Sequence, residues 1–438
     1  MDVSASRALL DGLVTAGEAL KEISAAERAA ILGKAGERFS DPHDALAELA
    51  RHWVPLETGM SPEVSEQLLD RMADQWSPTS LERLLRAEFT DPRILDEFRE
   101  GPEGDQEKAE GDALALHLGA GNVAGTGATS LVRSLLVGTP LLLKPGRGDV
   151  ILPVLMARAI HSVSPLLSAA LAVVYWPGGS SSPLEEEALA RSRRVVLYGG
   201  LDTAREIRSR VPVTTPLVLY HHRLSAGAIG RDRLEGQGPA RELARAAAES
   251  VAAYDQQGCV SPHTIWVEEG GAVGVQEWAG LLAEALEEVN VRLPAARPTP
   301  EVSGEIQQLR GMAELEGAAG EGQGLFAPRD TSWTVILETE FGFYTACGGR
   351  LVRIQPLSDL DQLPELLAPF APLLQSLALE VEAPRRARIG AELGRAGVSR
   401  ITSFRRIAWP RPWWLHDGQG PLRALVRWVT LERDSPKI

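Results

Sequence analysis

The residue in this chain best placed to do chemistry is Cys259, which lies in the run Tyr254-Asp255-Gln256-Gln257-Gly258-Cys259-Val260-Ser261-Pro262. The run separates a predicted helix, from about 239 to 255, from a predicted strand at 263–268. Gly258 leaves the backbone uncrowded beside the thiol, and Pro262 ends the turn. Such a thiol can attack a substrate while neighbouring backbone amides stabilise an oxyanion. The alternative is a small buried apolar residue, which is what a lone cysteine most often is.

The composition limits the classes of protein to consider. A second cysteine, Cys347, has no comparable setting and is interpreted as structural. Two cysteines in 438 residues argue against a disulfide scaffold and favour a reducing cytoplasm. The formal net charge of −14 argues against a general nucleic-acid binder. No apolar run reaches the roughly 18 residues that span a bilayer, and the start at Met1 lacks a signal-peptide profile. We therefore expect a cytoplasmic protein without a membrane span.

The elements that must position the candidate residues change in character near residue 110. Residues 1–110 predict helices, with a capping box at Ser24-Ala25-Ala26-Glu27, and the polar segment 100–112 predicts an exposed connection. From residue 113 short apolar strands alternate with helices, which predicts parallel sheet covered on both faces. Ligands of such sheets bind beyond the carboxyl ends of the strands. The same alternation of short apolar strands and helices surrounds Cys259. The Gly- and Glu-rich segment 314–324 predicts a mobile loop.

Three glycine-bearing loops follow predicted strands and favour a nucleotide crevice. Gly119-Ala120-Gly121-Asn122-Val123-Ala124 fits the G-x-G-x-x-A fingerprint, whose glycines let backbone amides approach a pyrophosphate. The other two are Trp176-Pro177-Gly178-Gly179-Ser180 and Tyr198-Gly199-Gly200-Leu201-Asp202. The acidic ribose partner expected about 20 residues after the fingerprint is absent, and Lys144 stands there instead. A lysine at this place suits the 2′-phosphate of NADP, and it equally suits a strand-end lysine that reaches solvent.

Two further residue types could support catalysis. The side-chain amide of Asn122 could donate to a developing oxyanion, or it could satisfy its own turn. His221 and His222 follow a predicted strand and are candidates for an acid/base. No Cys, His or Glu stands near them at ligand spacing, so no metal site is expected. The sequence also lacks a G-x-S-x-G elbow, which argues against a serine hydrolase.

Several of these motifs, taken in order, resemble the acyl-CoA reductases of the LuxC type, a branch of the aldehyde dehydrogenase superfamily. The motifs are Gly121-Asn122-Val123-Ala124-Gly125, Leu142-Leu143-Lys144-Pro145, Val174-Tyr175-Trp176-Pro177-Gly178-Gly179 and Gln256-Gln257-Gly258-Cys259-Val260-Ser261-Pro262. Trp414-Leu415-His416-Asp417-Gly418, followed by 422–428, resembles the C-terminal signature of that family. The resemblance runs from about residue 110 to the end, and the helical N-terminal part matches only in general character.

The resemblance implies an aldehyde dehydrogenase-like α/β fold. We expect a helical N-terminal region at 1–110 packed on the cofactor domain, followed by a Rossmann-type NADP-binding domain at 111–230. A second α/β domain at 231–405 would carry the catalytic cysteine. The segment 406–438 would follow as a C-terminal segment and a candidate contact between copies of the chain.

The resemblance also implies NADPH-dependent reduction of a long-chain fatty acyl-CoA, or another acyl thioester, to the aldehyde. Cys259 falls on the nucleophile, and Asn122 falls on the amide that helps to hold the oxyanion. The positions that fall beside the cofactor are Lys144, Gly178, Gly179, Gly199 and Gly200. The implied partners are an acyl-protein synthetase or other acyl-donor protein, and further copies of the chain.

The sequence departs from the superfamily in one place that bears on the reaction. Hydrolytic aldehyde dehydrogenases carry Glu-Leu-Gly-Gly-Lys where this chain has Leu219-Tyr220-His221-His222-Arg223-Leu224-Ser225. The missing carboxylate removes a base for water, which suits thioester exchange. Two alternatives remain open. One is an oxidative NAD(P)-dependent aldehyde dehydrogenase, and the other is a non-catalytic member of an assembly that binds nucleotide or acyl groups.

Overall fold

The computed structural model describes residues 1–101, 104–179, 182–318, 324–344 and 348–433, so that Cys347 lies outside the described residues. The α-helices are α1 Val3–Leu20, α2 Ala25–Glu37, α3 Ala45–Thr58, α4 Pro62–Trp76, α5 Pro78–Glu88, α6 Thr126–Leu136, α7 Ile151–Val163, α8 Pro165–Ala169, α9 Pro183–Arg191, α10 Leu201–Arg210, α11 Gln237–Ala252, α12 Val275–Arg292, α13 Pro300–Ala318, α14 Leu363–Leu367, α15 Ala383–Arg395 and α16 Phe404–Ile407. The strands are β1 Arg99–Glu100, β2 Gln106–Glu110, β3 Ala115–Leu118, β4 Leu141–Lys144, β5 Leu171–Val173, β6 Arg194–Gly199, β7 Leu217–His221, β8 Leu224–Ile229, β9 Pro262–Glu268, β10 Gly324–Phe326, β11 Thr334–Leu337, β12 Leu351–Leu357, β13 Leu374–Glu380, β14 Arg400–Thr402 and β15 Arg427–Leu431.

The described chain divides into two compact units. The first contains Met1–Thr58, Leu69–His221 and the chain from Arg411 onward. The second contains Gly59–Leu68 and His222–Pro410. Each unit has a largely parallel sheet of its own, which is the two-sheet α/β architecture that the sequence predicts.

The sheet of the first unit has the strand order β5-β4-β3-β6-β7, and all of its neighbouring strands are parallel. Leu116, Leu142 and Val195 on three adjacent strands are fully buried, as expected for strands covered on both faces. Because the strands are parallel, the loops that leave their carboxyl ends lie along one edge of the sheet. The three predicted glycine loops are among them.

The helical character predicted for the N-terminal region is confirmed. Ser24 accepts a hydrogen bond from the backbone N–H of Glu27, and the Glu27 carboxylate accepts one from the Ser24 N–H, so the predicted capping box starts α2. Helix α1 packs against α8 and α9, and α2 packs against α6 and α7. The two helices lie on opposite faces of the first sheet. Leu10 and Leu13 of α1 pack with Leu116 of β3. Helix α6, which α2 contacts, bonds through Ser130 to His117 on the other face of β3.

The sheet of the second unit has the strand order β10-β11-β12-β9-β8-β13-β14. Strand β10 is antiparallel to β11, and the other neighbours are parallel. Strand β9 is the middle strand, and all seven of its residues are buried. The Cys259 turn therefore enters the sheet at its centre.

Three expectations from the sequence are corrected. The segment 100–112 is not a simple connection, because β1, β2 and β15 form an antiparallel sheet there. The predicted boundary at 230 placed β8 in the first domain, but β8 pairs with β9 and β13 in the second sheet. A short apolar strand has the same sequence pattern in either sheet, so the pattern of β8 could not show to which sheet it belongs. Helix α13 extends to Ala318, where a loop was predicted from 314, because Glu and Ala are good helix formers.

Candidate functional site

The turn that carries Cys259 has an unusual backbone. Tyr254, Asp255 and Gln256 have φ angles of 55°, 52° and 62°, so three consecutive residues that are not glycine adopt the left-handed region. Each such residue costs roughly 1–2 kcal/mol, and the conformation persists only where its surroundings enforce it. The reversal ends α11 and directs the chain into Cys259 and β9.

Buried polar contacts enforce this backbone. The carboxylate of Asp255 pairs with the guanidinium of Arg350 at 2.7 Å, and both side chains are almost fully buried. Asp255 also accepts a hydrogen bond from the N–H of Ala296 at 2.8 Å. The side-chain amide of Gln256 donates to the carbonyls of Pro262 and Leu351, at 3.0 and 2.8 Å. The turn is thus anchored to its own strand β9 and to the neighbouring strand β12.

The cysteine itself is half-buried. Its carbonyl accepts a hydrogen bond from the Ser225 hydroxyl at 2.7 Å, which ties the turn to the start of β8. A Cβ added to Gly258 would lie 3.2 Å from the ring of Tyr254, so the close approach of this ring favours glycine there. The N–H of Ser261 donates to the Gly258 carbonyl at 2.9 Å and closes the turn. The backbone around the thiol is therefore fixed before any substrate arrives.

The two candidate histidines belong to different units. His221 is the last residue of β7 and pairs with Gly199 in the first sheet. His222, which is exposed, begins the main part of the second unit. The sequence interpretation missed His263, which is buried in β9 four positions after Cys259. Burial, and then the neighbouring His222, lower the pKa of His263 to about 4, so its imidazole is neutral near pH 7.

Lys144 ends β4 and is half-buried, beside Leu118 of β3. Burial lowers its pKa, and the carboxylate of Glu185 acts in the opposite direction. Glu185 also accepts hydrogen bonds from the indole N–H of Trp176 at 2.7 Å and from Arg210 at 2.5 Å. The lysine therefore lies at the carboxyl end of the sheet, close to a carboxylate that is shared with other donors.

Two of the glycine loops are open to a ligand. A Cβ added to Gly178, Gly179 or Gly200 would meet no atom within 4 Å. Gly200 precedes α10, whose first turn has no side-chain cap. Gly199 is the last residue of β6, where an added Cβ would be in ordinary contact with Thr203 at 3.4 Å. These loops therefore have space for a dinucleotide beside uncapped helical N–H groups, and the cofactor fits this edge of the sheet.

The fingerprint loop has a different role. A Cβ added to Gly121 would lie 1.7 Å from the carbonyl oxygen of Arg147, so the glycines here allow two loops to pack backbone against backbone. The carboxyl of Asp149 accepts hydrogen bonds from the N–H groups of Gly125 and Gly127, at 2.7 and 2.6 Å. Burial raises the pKa of Asp149 to about 8, against the effect of these two donors. Since Asp149 caps the start of α6, that helix end is not left for a pyrophosphate.

Asn122 lies in the turn between β3 and α6, in the first unit, and its side chain is exposed. Cys259 lies in the second unit. Among the described residues, no group of three or more His, Cys, Asp or Glu side chains could hold a metal ion. None of the described helices combines the length and apolar character that a membrane crossing requires.

Comparison with known proteins assigns the family. The sequence model of the family described as acyl-CoA reductase (LuxC) matches residues 21–428, which include every candidate site residue. The chain belongs to the acyl-CoA reductase (LuxC) family. As a member of this reductase family it is an oxidoreductase.

Individual relatives agree with the LuxC assignment. The chain is 25% identical over 362 residues to the long-chain acyl-protein thioester reductase of Vibrio harveyi, covering 82% of this chain and 72% of that protein. It is 22% identical to the enzyme of the same name from Aliivibrio fischeri, covering 82% of this chain and 71% of the relative.

A solved structure agrees with the LuxC assignment at the level of the fold. The NADP-dependent glyceraldehyde-3-phosphate dehydrogenase of Bacillus halodurans superimposes with a TM-score of 0.74, at 15% identity, covering 98% of this chain and 91% of that structure. This LuxC-family chain therefore has the aldehyde dehydrogenase fold.

Proposed function

We propose that this LuxC-family chain reduces a long-chain acyl thioester, such as a fatty acyl-CoA, to the aldehyde with NADPH through a Cys259 acyl-enzyme. The observation that carries the proposal is the rigid turn that holds a half-buried cysteine at the centre of the second sheet. A nucleophile whose backbone is fixed in advance is a recurring feature of covalent catalysis. The family assignment supports a thioester as the group that it attacks.

In the proposed reaction the Cys259 thiolate attacks the thioester carbonyl, and the leaving thiol departs as the acyl-cysteine forms. The backbone N–H at Cys259 and the side-chain amide of Asn122 stabilise the oxyanion. When bound, NADPH supplies the hydride that reduces the acyl carbon. The resulting cysteine adduct carries an oxyanion, and it collapses to the aldehyde as the C–S bond breaks and the Cys259 thiolate leaves. His221 and His222 are the proposed acid/base candidates, and either would protonate the thiolate that leaves in the first step.

The proposed cofactor-binding residues are Lys144 and the glycines Gly178, Gly179, Gly199 and Gly200. Open space at Gly178, Gly179 and Gly200 and the uncapped start of α10 support this assignment. Lys144 would pair with a phosphate of the adenosine half, which favours NADPH over NADH. The missing carboxylate in 219–225 supports acyl transfer over hydrolysis, and so reduction over the oxidative alternative.

We further propose that the chain accepts its acyl group from a donor protein in the cytoplasm, such as an acyl-protein synthetase, as well as from acyl-CoA.

Self-association is part of this proposal. Strand β15 lies at an edge of its three-stranded sheet, and Trp428 and Leu431 on it are about half exposed. An exposed apolar edge strand supports pairing with a second copy, and light scattering of the purified chain measures the oligomeric state.

The test is NADPH oxidation with a series of acyl-CoA chain lengths, with wild type beside Cys259→Ser and Cys347→Ser. We expect aldehyde and free CoA from wild type and Cys347→Ser, and at least about a 1000-fold lower rate from Cys259→Ser. The rate should be higher with NADPH than with NADH at equal, low concentration. Wild-type turnover by Cys259→Ser would contradict the mechanism. Oxidation of aldehydes without CoA would favour the oxidative alternative.

A further inference from the structure

A chain of contacts links the Cys259 turn to an arginine that the sequence interpretation did not select. The Ser225 hydroxyl, which donates to the Cys259 carbonyl at 2.7 Å, accepts a hydrogen bond from the N–H of Ser376 at 3.3 Å. Ser376 is the register partner of Arg400 in the parallel pair β13 and β14. The Arg400 guanidinium reaches the Ser376 hydroxyl at 3.5 Å. Cys259 and Arg400 therefore lie at the same, amino-terminal edge of the second sheet.

The guanidinium of Arg400 is held in place by backbone carbonyls. It donates to the carbonyls of Ile407 at 2.8 Å and Arg406 at 2.5 Å. Burial lowers the pKa of Arg400 to about 10, and the charges of Tyr254 and Cys259 act in the opposite direction. Arg400 is still protonated near pH 7. A half-buried cation thus lies within electrostatic reach of the candidate nucleophile.

We propose that the fixed positive charge of Arg400 stabilises the thiolate of Cys259. The inference rests on the proposed function, in which Cys259 is the nucleophile. Because the thiolate is the attacking species, a nearby cation increases its population near neutral pH. Arg400 is therefore not proposed to contact the substrate. It acts on the reaction through the charge state of Cys259.

Other ionisable groups also lie on the neighbouring segments. Arg223 precedes β8 at the same edge, and its guanidinium donates to the carbonyl of Leu374 at 2.9 Å. Asp255 is paired with Arg350. The imidazole of His263 is neutral near pH 7, and His222, which faces it, is exposed. Two other ionisable side chains interact with Arg400 itself. The phenol of Tyr254 can supply only negative charge, and the exposed guanidinium of Arg406 lowers the pKa of Arg400 through charge repulsion.

The experiment measures the rate of iodoacetamide alkylation against pH, from about pH 5 to about pH 10. All proteins carry Cys347→Ser, so that Cys259 is the one thiol left in the chain. Arg400→Gln removes the charge, Arg400→Lys keeps it, and Arg395→Gln removes an exposed arginine of the same unit as a control. Circular dichroism and thermal unfolding check that each variant is folded.

We expect Arg400→Gln to raise the pKa of the thiol by about one unit and to slow alkylation near neutral pH by up to about tenfold. Arg400→Lys and Arg395→Gln should stay close to the parent. A profile for folded Arg400→Gln that coincides with the parent would overturn the inference. So would equal shifts in the Gln and Lys variants, because these would indicate a structural role.

Alkylation needs neither NADPH nor an acyl substrate, so this result is independent of turnover. A thiol pKa that depends on Arg400 in a chain without reductase activity would contradict the proposed function alone. An active reductase whose thiol pKa does not change in Arg400→Gln would contradict only the role of Arg400.

Discussion

At the scale of the residue, an unfavourable backbone conformation fixes the position of Cys259. Three left-handed residues precede the thiol, and the buried pair of Asp255 and Arg350 holds them. A buried ion pair adds little net stability compared with apolar packing, but loss of one partner leaves a charge buried alone. The pair is therefore better understood as a device that specifies one backbone conformation than as a source of stability.

This leads to a prediction for Asp255→Ala. The free energy of unfolding should fall by about 3–5 kcal/mol, because the buried Arg350 loses its partner. Urea unfolding followed by circular dichroism measures this change. Asp202→Ala, which removes an almost fully exposed carboxylate, is the control and should change the free energy by less than about 1 kcal/mol. Similar values for the two variants would show that the pair does not hold the turn.

At the scale of the element, strand β9 has a functionally or structurally important side chain at each end. The candidate nucleophile precedes its amino end, and Glu268 forms its carboxyl end. The side chain of Glu268 is fully buried and accepts hydrogen bonds from Arg385, at 2.6 Å to each oxygen, and from the backbone of Arg231 and Leu360. Burial would raise the pKa of Glu268, but these donors prevail and lower it to about 2. The end of β9 opposite the thiol is thus locked by an ionic cluster.

The lowered pKa of Glu268 predicts a pH dependence of stability. The carboxylate contributes stability above its unfolded pKa of about 4.3, and this contribution is lost as the pH falls towards 2. The contribution is on the order of 3 kcal/mol. Urea unfolding at about pH 6 and about pH 3 should therefore show a smaller acid-induced loss in Glu268→Gln than in wild type. Glu206→Gln, at an exposed position, should lose as much as wild type. Parallel losses in all three proteins would contradict this assignment.

At the scale of the whole molecule, the balance of charge is strongly negative, with 59 acidic and 45 basic side chains. Acyl-CoA and NADPH, the ligands proposed for this chain, are also polyanions. A net negative field slows the approach of a negative ligand, and salt screens that field over a distance of roughly 10 Å. Lys144, which we propose to pair with a phosphate of NADPH, acts against this long-range repulsion.

A salt dependence follows from this charge. Raising the ionic strength from about 0.01 to about 0.15 M should lower the KM for acyl-CoA, because the long-range repulsion is screened. The measurement is steady-state NADPH oxidation over a series of salt concentrations, with an uncharged short acyl thioester as the control substrate. A KM for acyl-CoA that rises with salt would show that local cations dominate the encounter.

The sequence by itself determined a large part of this protein. The Cys259 turn, the strand-exit glycines and the alternation of apolar strands and helices are local patterns, so they could be interpreted without coordinates. They indicated the α/β class and the resemblance to LuxC reductases, and the spacing of Ser24 and Glu27 indicated the capping box. These features depend on residues close together in the chain, where spacing and propensity determine the outcome.

Only the tertiary structure decided which distant residues meet. Arg350 and Arg400 lie far along the chain from the turn, and no local pattern connects them to it. The same reason explains why β8, which has the pattern of either sheet, was assigned to the wrong domain. It also explains why the sequence did not show that Gly121 packs against the carbonyl of Arg147 or that Asp149 accepts hydrogen bonds from Gly125 and Gly127. Strand pairing and burial are set by contacts across the fold, which a single sequence does not display.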